Sequence, residues 1–218
     1  MVPIHTALAF LILTLSSIVS IQATPVSENE MARHEKGFGA LQESTHTFQA
    51  DLRQSLMLEG MAKPIVSTGT LFYQTPDRLL LRFSKPAGEW LIINGNQMGV
   101  QKRGKPLDLQ EVSSQGRRSH AASLLDFFSS GASRWHKDFD VSMTREGDRL
   151  SVQLKPWQTP TSTSQGVELI VTTLQLPSYD VLEITVTING KNKISYQFSN
   201  TQRNVEMSPS LFTLPSKS

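Results

Sequence analysis

From Phe48 to Met98 the chain alternates apolar and polar residues in short runs separated by turn signals, and a period of two marks half-buried strands. Phe48, Ala50 and Leu52 share one face of the first run, with Gln49, Asp51 and Arg53 on the other. Leu71 and Tyr73 repeat the pattern, as do Leu79, Leu81 and Phe83, opposite Arg78 and Arg82. Trp90 and Ile92 are read in the same inward phase, ahead of Asn94-Gly95, a strong hairpin signal. The spacing predicts three successive antiparallel strands here.

The second half reads as a meander. Phe139 to Arg145 and Leu150 to Lys155 flank the turn Glu146-Gly147-Asp148, and Thr159 to Gly166 is a Thr/Ser-rich loop. Strands follow at Val167 to Leu174, Val181 to Ile188 and Lys193 to Ser199. Their alternation places Leu169, Val171, Leu182, Ile184, Val186, Ile188, Tyr196 and Phe198 inward. Strands at this spacing predict one large antiparallel sheet that curls.

Two helical segments interrupt the strand pattern. Ser27 to Glu30 has capping-box spacing, and Met31, His34, Phe38 and Leu41 then share one face of a short helix that Gly37 and Gly39 weaken. Arg103 to Ser119 reads as a long polar loop. Ala121 to Phe128 gathers Leu124, Leu125, Phe127 and Phe128 at helical spacing. So much apolar surface on a short helix covers something, either an ordinary core or a cavity beneath a lid. The fold class is mainly β (α+β): an incompletely closed antiparallel β-barrel with short helices over an apolar interior. A trough lined by such residues would gain about 0.8 kcal/mol per methylene of an acyl chain. Periodicity alone does not separate that trough from a filled core.

Residues 1–23 carry no Lys, Arg, Asp or Glu, and the run from Ala7 to Ile21 is almost wholly apolar. At about 15 residues it falls short of the roughly 20 that a spanning helix needs. Ending at Ile21-Gln22-Ala23, it reads as a secretory signal peptide, with residues 24–218 as a single domain. An uncleaved N-terminal anchor is the alternative. The chain has no cysteine, which excludes disulfides, thiolate metal sites and a lipid-modified cysteine at the cleavage point. The mature protein is therefore expected to be soluble.

The net charge of +2 is spread along the chain apart from Lys102-Arg103-Gly104-Lys105 and Arg117-Arg118. These groups lack the density and aromatic interleaving of a nucleic-acid footprint and read as a solvated rim, with a partner-docking patch as the sharper alternative. Catalysis finds no foothold. There is no Gly-x-Ser-x-Gly, and His34, His46, His120 and His136 show no metal-ligand spacing and read as surface or capping residues. Asp126 lies six positions from His120, off its helical face, and Trp135-His136-Lys137-Asp138 reads as the edge of a strand start. No catalytic residue, metal or cofactor is expected.

Three blocks carry a family resemblance: Phe48 to Gln54, then Pro64 to Gly69, then Pro76-Asp77-Arg78-Leu79. Ile194 to Asn200, Asn204 and Phe212-Thr213-Leu214-Pro215 complete it near the C-terminus. In this order the chain resembles the outer-membrane lipoprotein carriers (LolA-like proteins) over nearly all of its mature length. The resemblance implies a monomeric periplasmic carrier of acylated lipoproteins or other lipids, working between an inner-membrane lipoprotein-releasing transporter and an outer-membrane acceptor. Carried over by position, the resemblance implies that Leu79, Leu81, Phe83, Trp90 and Ile92 line the cavity; alternation adds Phe48, Leu52, Leu71, Tyr73, Leu169, Leu182, Ile184, Tyr196 and Phe198, and the second helical segment Leu124 and Phe128. Well-known carriers place an arginine tied to lid movement just before the motif proline. Here Thr75 stands there, and Arg78 belongs by alternation to the outer face. A divergent carrier of another lipid, a periplasmic lipid-sensing module and a secreted hydrolase are the competing readings.

Overall fold

The computed structural model describes residues 22–111, 124–125, 127–129, 131–157 and 166–215. The signal-peptide run through Ile21, Arg117-Arg118, His120, Asp126 and most of the Thr159–Gly166 loop lie outside the described residues.

One antiparallel sheet organises the chain. Its strands are β1 (Thr24–Pro25), β2 (Thr47–Met57), β3 (Ile65–Gln74), β4 (Arg78–Lys85), β5 (Trp90–Asn94), β6 (Gln97–Gln101), β7 (Asp108–Glu111), β8 (Phe139–Glu146), β9 (Arg149–Pro156), β10 (Val167–Gln175), β11 (Asp180–Ile188) and β12 (Asn192–Arg203). The order is β1-β8-β9-β10-β11-β12-β2-β3-β4-β5-β6-β7, so among the described residues β1 and β7 are the edges and the barrel does not close. Inward side chains from strands far apart in this order, such as Val141 and Met143 of β8 and Ile93 and Met98 of β5 and β6, nevertheless share one buried cluster. The sheet is therefore curled around a common interior. Burial of that apolar face is its main driving force.

Helix α1 (Glu28–Ser44) continues through Gly37 and Gly39 and is longer than the sequence suggests. Ser27 occupies the N-cap position, but its side chain makes no capping bond. Glu28 and Glu30 in the first turn instead meet the positive end of the helix dipole. The stretch read as loop after Arg103 contains β7, and Trp135–Asp138 is a short helix, α2, not the edge of a strand. Among the described residues no helix is long and apolar enough to cross a membrane.

A second, smaller apolar cluster sits on the convex face. Leu80 and Ile92 are buried there beneath Phe212, with Phe72, Trp90, Met207, Leu211 and Leu214 around them. After β12 the chain thus folds back as a strap over the outside of β3 to β6. Gly99 permits it: a Cβ there would stand 2.6 Å from the Leu214 Cδ2. The Asn94 amide donates to the Phe212 carbonyl at 3.3 Å and pins the strap.

Candidate functional site

The strongest candidate site is the concave interior where α1, residues 124–125 and 127–129, and residues 131–135 close it. Helix α1 crosses the end of the barrel at which β2 begins, next to the β10–β11 turn and the end of β8. Its apolar face carries Phe38 into the interior, with Met31 and Leu41 packed beside it. Residues 124–125 and 127–129 are helical and bring Leu124, Leu125, Phe127 and Phe128 against the same interior. Trp135, from α2, completes the lid.

Rings fill the space beneath. Phe38 lies 5.7 Å from Phe127 and 5.5 Å from Trp135, centroid to centroid. Phe128 stacks on Tyr73 at 5.4 Å and contacts Phe48 at 5.2 Å and Phe198 at 6.3 Å. A cavity of about 30 Å³ remains at the mouth, edged by Phe38, Leu41, Gln42, Tyr179, Val181 and Arg203. That volume holds about one or two waters. An acyl chain does not fit unless rings move.

Among the described residues a handful of polar ties hold this lid, one of them the 2.8 Å contact of His136 Nε2 with Glu35 Oε1 between α2 and α1. The Gln42 amide donates to the Phe127 carbonyl at 2.9 Å, and its oxygen accepts from the Ala132 N–H at 2.9 Å. One side chain thereby joins α1 to both ends of the second lid segment. Tyr73 Oη donates to the Phe128 carbonyl at 3.4 Å. Burial, helped by the Asp77 charge, pushes the Tyr73 phenol up to about 12, so it remains a donor. His34 Nδ1 lies 3.1 Å from Tyr179 Oη, and Gly37 makes room for that ring. Desolvation lowers the His34 pKa; Glu30 opposes this and Arg145 and Arg33 add to it. At the far end of α1, Asn204 accepts from the His46 N–H at 2.7 Å and donates to the Ser44 carbonyl at 2.9 Å, fixing the connection from α1 to β2.

Twelve of the sequence-predicted cavity residues meet in this interior: Phe48, Leu52, Leu71, Tyr73, Leu79, Leu81, Phe83, Leu124, Phe128, Ile184, Tyr196 and Phe198. Four do not. Trp90 and Ile92 point to the convex face, because Leu79 pairs with Ile93 and Leu81 with Leu91, and paired residues share a face. Leu169 pairs with Thr187 on the outer side, while its neighbour Ile170 points inward opposite Val186. Leu182 sits at the β10–β11 irregularity, where the register jumps from Thr173–Glu183 to Leu174–Val181, and Val181 takes its inward place. Arg78 is on the outer face as expected, donating to Gln74 at 3.4 Å. His34, read as a surface or capping residue, is largely buried against Tyr179.

Sequence reasoning missed Gln42, Trp135, Tyr179 and Arg203. Trp135 and Tyr179 carried no periodic signal, and Gln42 shows its role only once Phe127 and Ala132 are in place. Arg203 reaches the mouth through the break in the β12–β2 register after Ser199 and pairs with Asp180 at 2.6 Å. Thr172 is a further departure: its hydroxyl is buried among inward apolar residues with no partner among the described residues.

Comparison with known proteins follows the same lines. No curated protein matches the chain. An uncharacterised conserved protein from Thermus thermophilus superimposes with a TM-score of 0.50 at 9% identity, over 86% of this chain and 95% of that one. A LolA superfamily protein from Nitrosomonas europaea gives 0.45 at 7% identity, over 84% of this chain and 97% of that one. The Mycobacterium tuberculosis lipoprotein LppX gives 0.45 at 9% identity, over 84% and 100%. At 9% identity the likeness to the Thermus thermophilus protein is one of fold alone. The sequence itself goes further, since the family model for the outer membrane lipoprotein carrier protein LolA matches residues 43–215. The open curled sheet, its lidded apolar face and that match together place this chain in the LolA family of outer membrane lipoprotein carrier proteins.

Proposed function

We propose that this protein is a periplasmic carrier that holds the acyl chains of lipoproteins against its concave face and moves them from the inner to the outer membrane. The observation that carries the reading is an apolar interior closed by a lid of aromatic rings on a few hydrogen bonds. Phe38, Phe127 and Phe128 occupy space that an acyl chain would take, and each methylene buried in their stead contributes about 0.8 kcal/mol. Loading therefore exchanges one apolar occupant for another, and the lid supplies reversibility. Membership of the LolA family supports the same reading.

On this reading residues 1–23 are a signal peptide cleaved on export, and residues 24–218 form a single carrier domain. The protein is a binding protein without a catalytic step or cofactor, and acts as a monomer. Its partners are acylated lipoproteins, an inner-membrane transporter that releases them and an outer-membrane acceptor. The cargo-contacting set is the twelve inward residues, joined by Phe38, Phe127 and Trp135. Gln42 ties the lid, in a chain where Thr75 precedes the cis proline Pro76.

Native mass spectrometry of the protein purified from periplasm without detergent tests the function. A stoichiometric acylated protein in the spectrum is expected. Lipid other than lipoprotein would redirect the cargo assignment, and failure to take up any acyl compound even when offered in excess would overturn the carrier reading.

A further inference from the structure

The large apolar side chains left exposed among the described residues are Leu58 (38%), Ile65 (50%), Val66 (39%) and Trp157 (60%). Trp157 lies against α2, its Nε1–H donating to the His136 carbonyl at 3.2 Å. The other three belong to the β2–β3 hairpin, which antiparallel pairing puts at the end of the sheet away from the start of β2, where α1 enters. Thr68 is the first β3 residue paired with β4, opposite Lys85, so Ile65, Val66 and Ser67 project beyond that neighbour. On its other flank the hairpin is moored, with the Glu59 N–H donating to Asn192 Oδ1 at 2.8 Å and Glu59 bonded to Lys191. The apolar tip is held out, not folded back.

Charge at this tip has one sign to spare. Lys63, Lys85 and Lys193 are exposed around the hairpin and have no ion-pair partner among the described residues, whereas Glu59 is already paired with Lys191. At the α1 end Arg203 pairs with Asp180 at 2.6 Å and Arg145 with Glu30 at 3.7 Å, while Arg33 and Lys36 are exposed without an ion pair among the described residues, but no large apolar side chain protrudes beside them. A protruding apolar loop ringed by free ammonium groups complements a surface that is apolar just below a layer of negative headgroups.

We propose that the β2–β3 hairpin docks this protein on the surface of a bilayer containing anionic phospholipid. Leu58, Ile65 and Val66 enter the interfacial layer, and Lys63, Lys85 and Lys193 remain at headgroup level. Docked this way, α1 and the cavity mouth face away from the bilayer, so the membrane orients the carrier and a protein partner meets its lid. This docking is independent of whether the interior carries acyl chains.

Vesicle flotation with the exported protein provides the test. Vesicles of equal parts phosphatidylglycerol and phosphatidylcholine should carry the protein upward at low salt. Raised salt or pure phosphatidylcholine should reduce that association by about tenfold or more. The exposed triple variant Leu58→Ser/Ile65→Ser/Val66→Ser should lose it to a similar degree with an unchanged unfolding midpoint. The charge variant Lys63→Glu/Lys193→Glu should do likewise, and serves if the triple variant misfolds. The N-terminus is common to all of these proteins, so a difference between them belongs to the hairpin. Absence of flotation, equal binding to both lipid mixtures, or variants that float like the parent would overturn the proposal. Titration of the same proteins with a fluorescent fatty acid reads the carrier function separately and should not change.

Discussion

The two faces of the sheet both bury apolar residues, but they are covered in different ways. On the convex side the strap from Met207 to Leu214 continues directly from the chain after β12, and its Phe212 is fully enclosed over Leu80 and Ile92. On the concave side the cover is α1 with residues 124–125, 127–129 and 131–135, set on rings and tied by Gln42, Tyr73 and the His34–Tyr179 contact. The strap is fitted closely to the sheet, down to the missing Cβ of Gly99. The lid leaves a cavity and places a guanidinium, an amide and a phenol at its edge. On the carrier reading, one cover stays and the other is exchanged.

Removing the central ring of the strap should have the largest effect. Phe212→Ala empties a fully buried site and should cost roughly 3–5 kcal/mol in urea unfolding, while the folded protein binds a fluorescent fatty acid as before. The contrasting change is Phe128→Ala, in a half-buried ring at the heart of the lid cluster. It should lower stability by roughly 1–3 kcal/mol yet raise fatty-acid affinity, because the cavity it opens is where the chain belongs. Opposite movement of the two readouts separates the faces; parallel loss would merge them.

Gln42→Ala removes both lid ties at once. A loss of about 1–2 kcal/mol is expected, with faster loading in stopped-flow fluorescence and little change in the loaded state. The smallest effect is a pH dependence at His34, which faces Tyr179 from the β10–β11 turn, Arg145 from β8, and Glu30 and Arg33 on its own helix. Its folded pKa is below the ordinary 6.5, so above that pH the imidazole is neutral in both states and the contact is fully kept. As pH falls below 6.5, the opened or unfolded form takes up the proton first, and stability is lost down through the folded value. Loading should be faster near pH 5 than near pH 7.5, by roughly the one-proton linkage, and His34→Gln should flatten the profile.

How much was legible in sequence follows from the same contrast of faces. Where polar or charged residues mark the outer phase, as in β2 and at Arg78 and Arg82 of β4, alternation places Phe48, Leu52, Leu79 and Leu81 correctly, and the curled antiparallel sheet follows from it. In Trp90-Leu91-Ile92-Ile93 both phases are apolar because the strap covers the outside, and periodicity has nothing to choose between. Leu169-Ile170-Val171 has the same ambiguity, and at Leu182 a register irregularity shifts the phase in mid-strand. The lid's polar ties were illegible for another reason. Gln42, Tyr179 and Arg203 act on groups well separated in sequence, up to 145 residues away for Tyr179 and His34, which only the fold brings within hydrogen-bond reach. Phe38 was visible as part of an apolar helix face; its packing against Phe127 and Trp135 inside the sheet was not.

The most direct test of an exchangeable lid uses the absence of native cysteine. A Cβ built on Gly39 lies 4.0 Å from that of Ala132, within the span of a disulfide, so Gly39→Cys/Ala132→Cys can staple α1 to the second lid segment. Fluorescent fatty-acid binding would then be compared between the oxidised and reduced forms of this one protein. Little or no binding when oxidised, with binding restored on reduction, is the expected result. An oxidised, fully cross-linked protein that binds the chain as well as its reduced form would contradict it.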